Sequence, residues 1–163
     1  MKLKIENIMS THLITVQESE GLEAAYVKMK LNGIRHLPVM DSMNHVVGII
    51  SDRDIQRAMM ALDSGDFAFD PDEIVGSYMS TQIKSVTQEC ELLEVVQKMI
   101  DHQISAVLIT RAANVVGIIT HEDLLLILAD MLKPKDNVMA QVQNWLYKTP
   151  AGEIAGKLAA AGI

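Results

Sequence analysis

Two stretches of this chain hold the residue types most able to do chemistry: Gly48-Ile49-Ile50-Ser51-Asp52-Arg53-Asp54 and Gly117-Ile118-Ile119-Thr120-His121-Glu122-Asp123. Each has a glycine, a short apolar run, and a hydroxyl residue three positions before an aspartate. That pattern is an ordinary helix start, with a capping hydroxyl and a first-turn carboxylate together worth about 1 kcal/mol. Capping does not demand aspartate, because Glu or Gln would complete the same box. A short carboxylate at the mouth of a strand-to-helix turn can also accept hydrogen bonds from two vicinal hydroxyls. The helix start beside it offers N–H groups to polar ligand atoms. The two readings are compatible, and the recurrence of aspartate favours a site.

The charges around the two stretches differ. Arg35, His36 and Arg53 put phosphate-neutralising groups in the first half, and Arg suits bidentate phosphate contacts. The matching positions in the second half are Ser105, Ala106 and Glu122, with no cation among them. An exposed Arg35 with no ligand role is the competing reading. Other chemistry finds little support. His12, His36, His45, His102 and His121 lack the spacing of a zinc site, and His121-Glu122-Asp123 reads as a helix first turn. Cys90 lies between Glu89 and Glu91, whose like charge disfavours a thiolate. There is no nucleophile elbow, phosphate-binding Gly-Lys-Thr loop or dinucleotide fingerprint. The expectation is a binding protein without catalytic residues, metal or required cofactor.

The elements that position these residues form an internal repeat. An offset of 70 sets Met9-Ser10-Thr11 on Met79-Ser80-Thr81, Val16 on Val86, Leu22 on Leu92, Lys28-Met29 on Lys98-Met99 and Ile34 on Ile104. One residue is then lost in a turn. At an offset of 69, Val46–Ile50 falls on Val115–Ile119 and Asp54 on Asp123. Within each copy, Leu13–Val16 and Ile83–Val86 predict a short strand. Leu22, Ala25, Tyr26 and Met29 repeat at helical spacing, as do Leu92, Val95, Val96 and Met99. Ser19 is the expected cap of the first of these helices. Leu37–Met40 and Ala106–Thr110 predict a second strand, and polar turns at 41–45 and 111–114 lead into Val46–Ile50 and Val115–Ile119 as hairpins. A last helix starts at Ser51 and at Thr120. Apolar strands of this kind imply sheets buried on both faces. The organisation expected is a first repeat over 1–62, a linker over 63–75, a second repeat over 76–132 and a helical extension over 133–163. Phe67 and Phe69 of the linker are expected in a core. In the extension, Val138, Val142, Trp145 and Leu146 share a helical face, and Thr149, Pro150 and Glu153 make a capped start.

Composition bounds the rest. The 163 residues are 49% hydrophobic and 21% charged, ordinary for a globular chain, while aromatics at 4% leave the core to aliphatic residues and Met. The 11 methionines read as core fillers. A net charge of −7 disfavours nucleic-acid backbones without excluding a local basic pocket. A lone cysteine fits a reducing compartment. No apolar run approaches the ~20 residues of a membrane span, and the N-terminus lacks a secretory core. A cytoplasmic protein is expected, with no membrane insertion.

The Met-Ser-Thr openings, the segment Gly33-Ile34-Arg35-His36-Leu37-Pro38-Val39 and both Gly-Ile-Ile-[Ser/Thr]-x-x-Asp stretches resemble a pair of CBS domains, the cystathionine β-synthase type repeat that forms a Bateman module. The resemblance covers about residues 5–130. It implies an α+β fold of two β-α-β-β-α repeats packed through their sheets about a pseudo-twofold axis, here with a C-terminal helical tail. It also implies an adenosine-containing ligand, AMP, ADP, ATP or S-adenosylmethionine, in the cleft between the repeats. Asp54 and Asp123 would hold ribose hydroxyls, with Ser51 and Thr120 in support. Thr15-Val16 and Ser85-Val86 would frame the base. Arg35, His36, Leu37 and Pro38, with Ser105, Ala106 and Val107, would line the remaining wall. Arg53 joins Arg35 and His36 as a phosphate partner, and Arg35 has no fixed pocket because the repeats exchange walls. The expected role is a stand-alone regulatory sensor, homodimeric, acting on a target protein unknown from sequence. The alternative is an assembly module with vestigial clefts that uses its C-terminal helices.

Overall fold

The computed structural model describes residues 4–61 and 67–132. The chain divides into two compact units, 1–125 and 126–163; of the second, residues 126–131 belong to the last helix. The sequence-predicted helices past Lys133 lie outside the described residues.

The first copy runs β1 (Val16–Gln17), α1 (Leu22–Asn32), β2 (His36–Met40), β3 (Val46–Ser51) and α2 (Asp52–Ala58). A small pair, β4 (Met60–Ala61) with β5 (Phe67–Ala68), and one helical turn, α3 (Val75–Tyr78), lead to the second copy. That copy runs β6 (Ser85–Thr87), α4 (Leu92–His102), β7 (Ala106–Arg111), β8 (Asn114–Thr120) and α5 (His121–Met131). Each repeat thus forms one three-stranded sheet, in which β1 lies parallel to β2 and β6 to β7, while the hairpins are antiparallel. Parallel neighbours need a crossover, which α1 and α4 supply. Registers match between the copies. Val16 pairs with Val39 and Val86 with Ile109, while Leu37 pairs with Ile50 and Val107 with Ile119. The residue lost between the copies is therefore lost in the hairpin turn. In the first turn Asp41 Oδ1 accepts from Met43 N and His45 N; the second is Ala112-Ala113, both at positive φ.

The first strands are shorter than their sequence predicts. Leu13 and Ile83 leave the sheet in tight turns, their amides donating to the carbonyls of Thr11 and Thr81. Their side chains pack between the two sheets against Ala106, Leu108 and Ile118, beside Val46, Ile49 and Val115. Ser19 does not cap α1. Gly21 occupies that position without a side-chain bond, and Glu20 instead accepts from the Gln17 amide.

Each repeat's leading segment is built into the other repeat. Ser10 exchanges two backbone hydrogen bonds with Ile118, and Ser80 does so with Ile49. Ile5 is buried in the core of the second repeat, and Val75 in that of the first. The close approach explains the glycines of the repeated stretch. A Cβ on Gly48 would lie 2.5 Å from Met79 Sδ and 3.0 Å from the Ser80 carbonyl; one on Gly117 would lie 2.6 Å from Met9 Sδ. Met29 and Met99 fill cores as expected, but Met43, Met60 and Met131 are exposed. Phe69 packs on Tyr26 with ring centroids 5.6 Å apart; the Phe67 side chain lies outside the described residues. No helix among the described residues is long and apolar enough to cross a membrane.

Candidate functional site

The helix starts at Ser51 and Thr120 are built alike. Asp54 Oδ2 accepts from the Ser51 amide at 2.9 Å and the Ser51 hydroxyl at 2.6 Å, and the Asp54 amide donates back to Ser51 Oγ at 3.4 Å. Asp123 Oδ2 accepts from the Thr120 amide at 2.7 Å and its hydroxyl at 2.9 Å. The capping box is therefore complete at Ser51, and at Thr120 its carboxylate half is formed. The backbone just ahead of β2 and of β7 takes up one helix-start N–H in each copy that the sequence offered to a ligand: the Asp52 amide donates to the Arg35 carbonyl, and His121 to that of Ser105.

Capping leaves the other carboxylate oxygen. Among the described residues Asp54 Oδ1 receives only an Arg57 guanidinium contact, at 3.3 Å, and an ionised carboxylate has about four acceptor positions. Asp54 faces a cleft of about 210 Å³ whose one wall is Ser51, Arg53, Arg57 and His36 of the first repeat. The opposite wall is Gln82, Ile83 and Lys84 with Gln103, Ile104, Ser105 and Ala106 of the second. The two walls meet where His36 Nε2 and Ser105 Oγ lie 2.8 Å apart. Burial holds the His36 imidazole below its ordinary pKa, with Asp52 opposing and Arg35 adding to the depression. His36 is thus neutral near pH 7 and can share a hydrogen bond with a hydroxyl.

Six residues singled out in the sequence meet in this cleft: His36, Ser51, Arg53, Asp54, Ser105 and Ala106. Val16, Leu37, Val86 and Val107 have side chains buried in the repeat cores. Pro38 lies within β2, opposite Ile49. The carbonyls of Thr15 and Ser85 accept from Lys28 and Lys98 Nζ at 2.9 and 3.0 Å. Thr120 and Asp123 stand at the pseudo-equivalent helix start, where Arg35 pairs with Glu122 at 2.8 Å. Arg35 therefore belongs with the Asp123 side. Sequence reasoning missed Arg57, Lys84, Gln82 and Gln103. The signal was present, since Arg57 and Lys84 fall on Leu126 and Ile14 of the sister copy, cation against apolar residue. Gln103 has φ 53 where the sister copy has Gly33 at φ 63. Keeping a side chain in the left-handed region costs about 1 kcal/mol, and that side chain lines the cleft. The Cys90 thiol is pushed up, by burial first and Glu94 next, so a reactive thiolate is disfavoured.

Comparison with known proteins gives a consistent result. A profile described as the CBS domain matches residues 5–61 and again 75–130. An uncharacterised 17.7 kDa protein of Acidianus ambivalens is 30% identical over 157 residues, covering 96% of this chain and 85% of that protein. Among solved structures, a Vibrio cholerae protein assigned to acetoin utilization is 27% identical with a TM-score of 0.67, covering 82% of this chain and 95% of that one. The CBS domain pair of protein MJ0100, crystallised with 5′-methylthioadenosine and S-adenosyl-L-methionine, is 25% identical with a TM-score of 0.65, covering 77% of this chain and 99% of that one.

Proposed function

This chain belongs to the CBS domain family, carrying two CBS domains, and from that premise we propose that it is a regulatory module holding an adenosine-containing ligand in the Asp54 cleft. The observation that carries the reading is a carboxylate with an acceptor oxygen to spare, set in a cleft whose walls come from both repeats. Ribose hydroxyls would donate to Asp54 Oδ1, the base would lie towards Ile83, Ile104 and Ala106, and Ser51 would hold the carboxylate in place. The adenosyl ligands of the MJ0100 pair support the same ligand class here.

CBS domain pairs are generally regulatory rather than catalytic. A ligand bridging two repeats shifts the population of their relative arrangements by the difference in its affinity for each. The readout would be a second copy or a target protein. Exposed Val27 and Leu31 on α1, with Leu93 and Ile100 on α4, are apolar surface of the kind an association covers.

The test is equilibrium titration with adenosine, AMP, ADP, ATP and S-adenosylmethionine, alongside sedimentation of the free and bound protein. At least one adenosine compound should saturate, and Asp54→Ala should abolish binding while circular dichroism shows a folded chain. Absence of saturable binding to all five would overturn the reading.

A further inference from the structure

Resting on the Asp54 cleft as the adenosine site, we propose that it selects phosphate-bearing nucleosides through Arg53, Arg57 and Lys84, and that the Arg35–Glu122 pair denies the Asp123 side the same ligand. Three cations line the Asp54 cleft against one carboxylate. Among the described residues Arg53 and Lys84 form no ion pair, and Arg57 makes only a 3.3 Å contact with Asp54 from a largely exposed position. A basic cluster with two of its three cations unpaired, on a chain of net charge −7, is a local reversal of the protein's field. The arrangement also suits the shape of a nucleotide. The cleft of about 210 Å³ is below the ~300–1,000 Å³ typical of ligand pockets, so the far end of a nucleotide would project from it. Arg53 and Arg57 are exposed cations of the cleft lining, free to meet that end.

At the sister position none of these cations recurs. Arg53 is replaced by Glu122, Arg57 by Leu126 and Lys84 by Ile14. Arg35, which reaches that side, is tied to Glu122 at 2.8 Å. A phosphate arriving there would meet Glu122 and Asp123 with Arg35 already paired. The split makes a charge-selective device. S-adenosylmethionine, whose sulfonium and ammonium outweigh its carboxylate, is repelled by the Asp54 cleft, whereas ATP is attracted.

Calorimetry on the full chain tests this with ATP, AMP, adenosine, S-adenosylmethionine and inorganic tripolyphosphate at two salt concentrations. The expected result is one ATP per chain, bound at least about tenfold more tightly than adenosine and weakened by salt. Arg53→Ala and Lys84→Ala should each weaken ATP about tenfold and leave adenosine within about threefold. Arg35→Ser combined with Glu122→Arg should raise the ATP stoichiometry. Adenosine or S-adenosylmethionine binding as tightly as ATP, or equal losses for ATP and adenosine in the Arg53 and Lys84 variants, would overturn the selectivity. Two ATP per unaltered chain would overturn the exclusion. If tripolyphosphate binds through Arg53 and Lys84 while no adenosine compound does, the phosphate assignment stands and the adenosine reading falls. If none of the five binds, both fall.

Discussion

At the start of α2 and at the start of α5 the same three hydrogen-bonding groups are joined in the same way: a hydroxyl, its own amide, and the carboxylate three residues on. Two residues beyond the cap the copies part in charge. Arg53 is left unpaired beside a cleft, whereas its counterpart Glu122 is tied to Arg35. The comparison teaches that a duplication preserves what the backbone requires and releases what only the surface carries. The carboxylate bonds at the helix starts, the registers and the crowded glycines Gly48 and Gly117 are held in common because each satisfies a buried or crowded group. The charges diverge because exposed side chains cost the fold little.

Core truncation gives the largest expected effect and should leave the two halves indistinguishable. Ile50 and Ile119 are both fully buried at equivalent registers. Ile50→Ala and Ile119→Ala should each lose about 2–5 kcal/mol in urea denaturation. A gap between them as large as either loss would break the equivalence.

The glycines should separate the copies. A Cβ on Gly48 meets the Ser80 carbonyl at 3.0 Å, which is backbone, while the two atoms nearest a Cβ on Gly117 are Met9 Sδ and Cγ, which can swing away and leave Met9 Cβ at 3.2 Å. Gly48→Ala is expected to cost about 1–3 kcal/mol, and Gly117→Ala distinctly less. Thermal melts of the two variants at equal concentration would show the order.

A smaller and opposite pair concerns the ends of α1 and α4. Gly33→Ala should destabilise by about 1 kcal/mol, because the new side chain must adopt φ near 63. Gln103→Gly should stabilise by up to about 1 kcal/mol while removing a wall of the Asp54 cleft. A gain in melting temperature coupled to weaker ligand binding would mark Gln103 as strain retained for the site.

The smallest effect is a pH dependence carried by His36 of the first repeat. His36 is depressed below its ordinary value near 6.5 by burial, so between the folded and unfolded pKa the unfolded chain binds more protons. Its contribution to stability is complete above about pH 6.5 and is lost as the pH falls through the folded pKa. His36→Gln should flatten that part of a stability-against-pH curve; an unchanged slope would remove His36 from the account.

Much of this was legible before any coordinates. Two offsets, 70 and 69, fixed a duplicated unit and placed its lost residue in a turn, because strand pairing tolerates a change of length only where no ladder is broken. Helices α1 and α4 showed themselves through apolar spacing, and the two caps through hydroxyl and acid three apart. Tertiary structure alone decided the rest. Nothing local in Leu13 or Ile83 revealed that they leave their strands to fill the space between the sheets. Nothing local in Ser10 or Ser80 revealed that each would pair with the opposite repeat. Arg35 could not be given a side from sequence, since its place depends on that exchange, and Lys84 reaches the Asp54 cleft only because the second repeat's leading segment crosses to the first. Periodicity records which face of an element is buried. Which distant element buries it is settled by the packing of the whole chain, and with it which charges share a cleft.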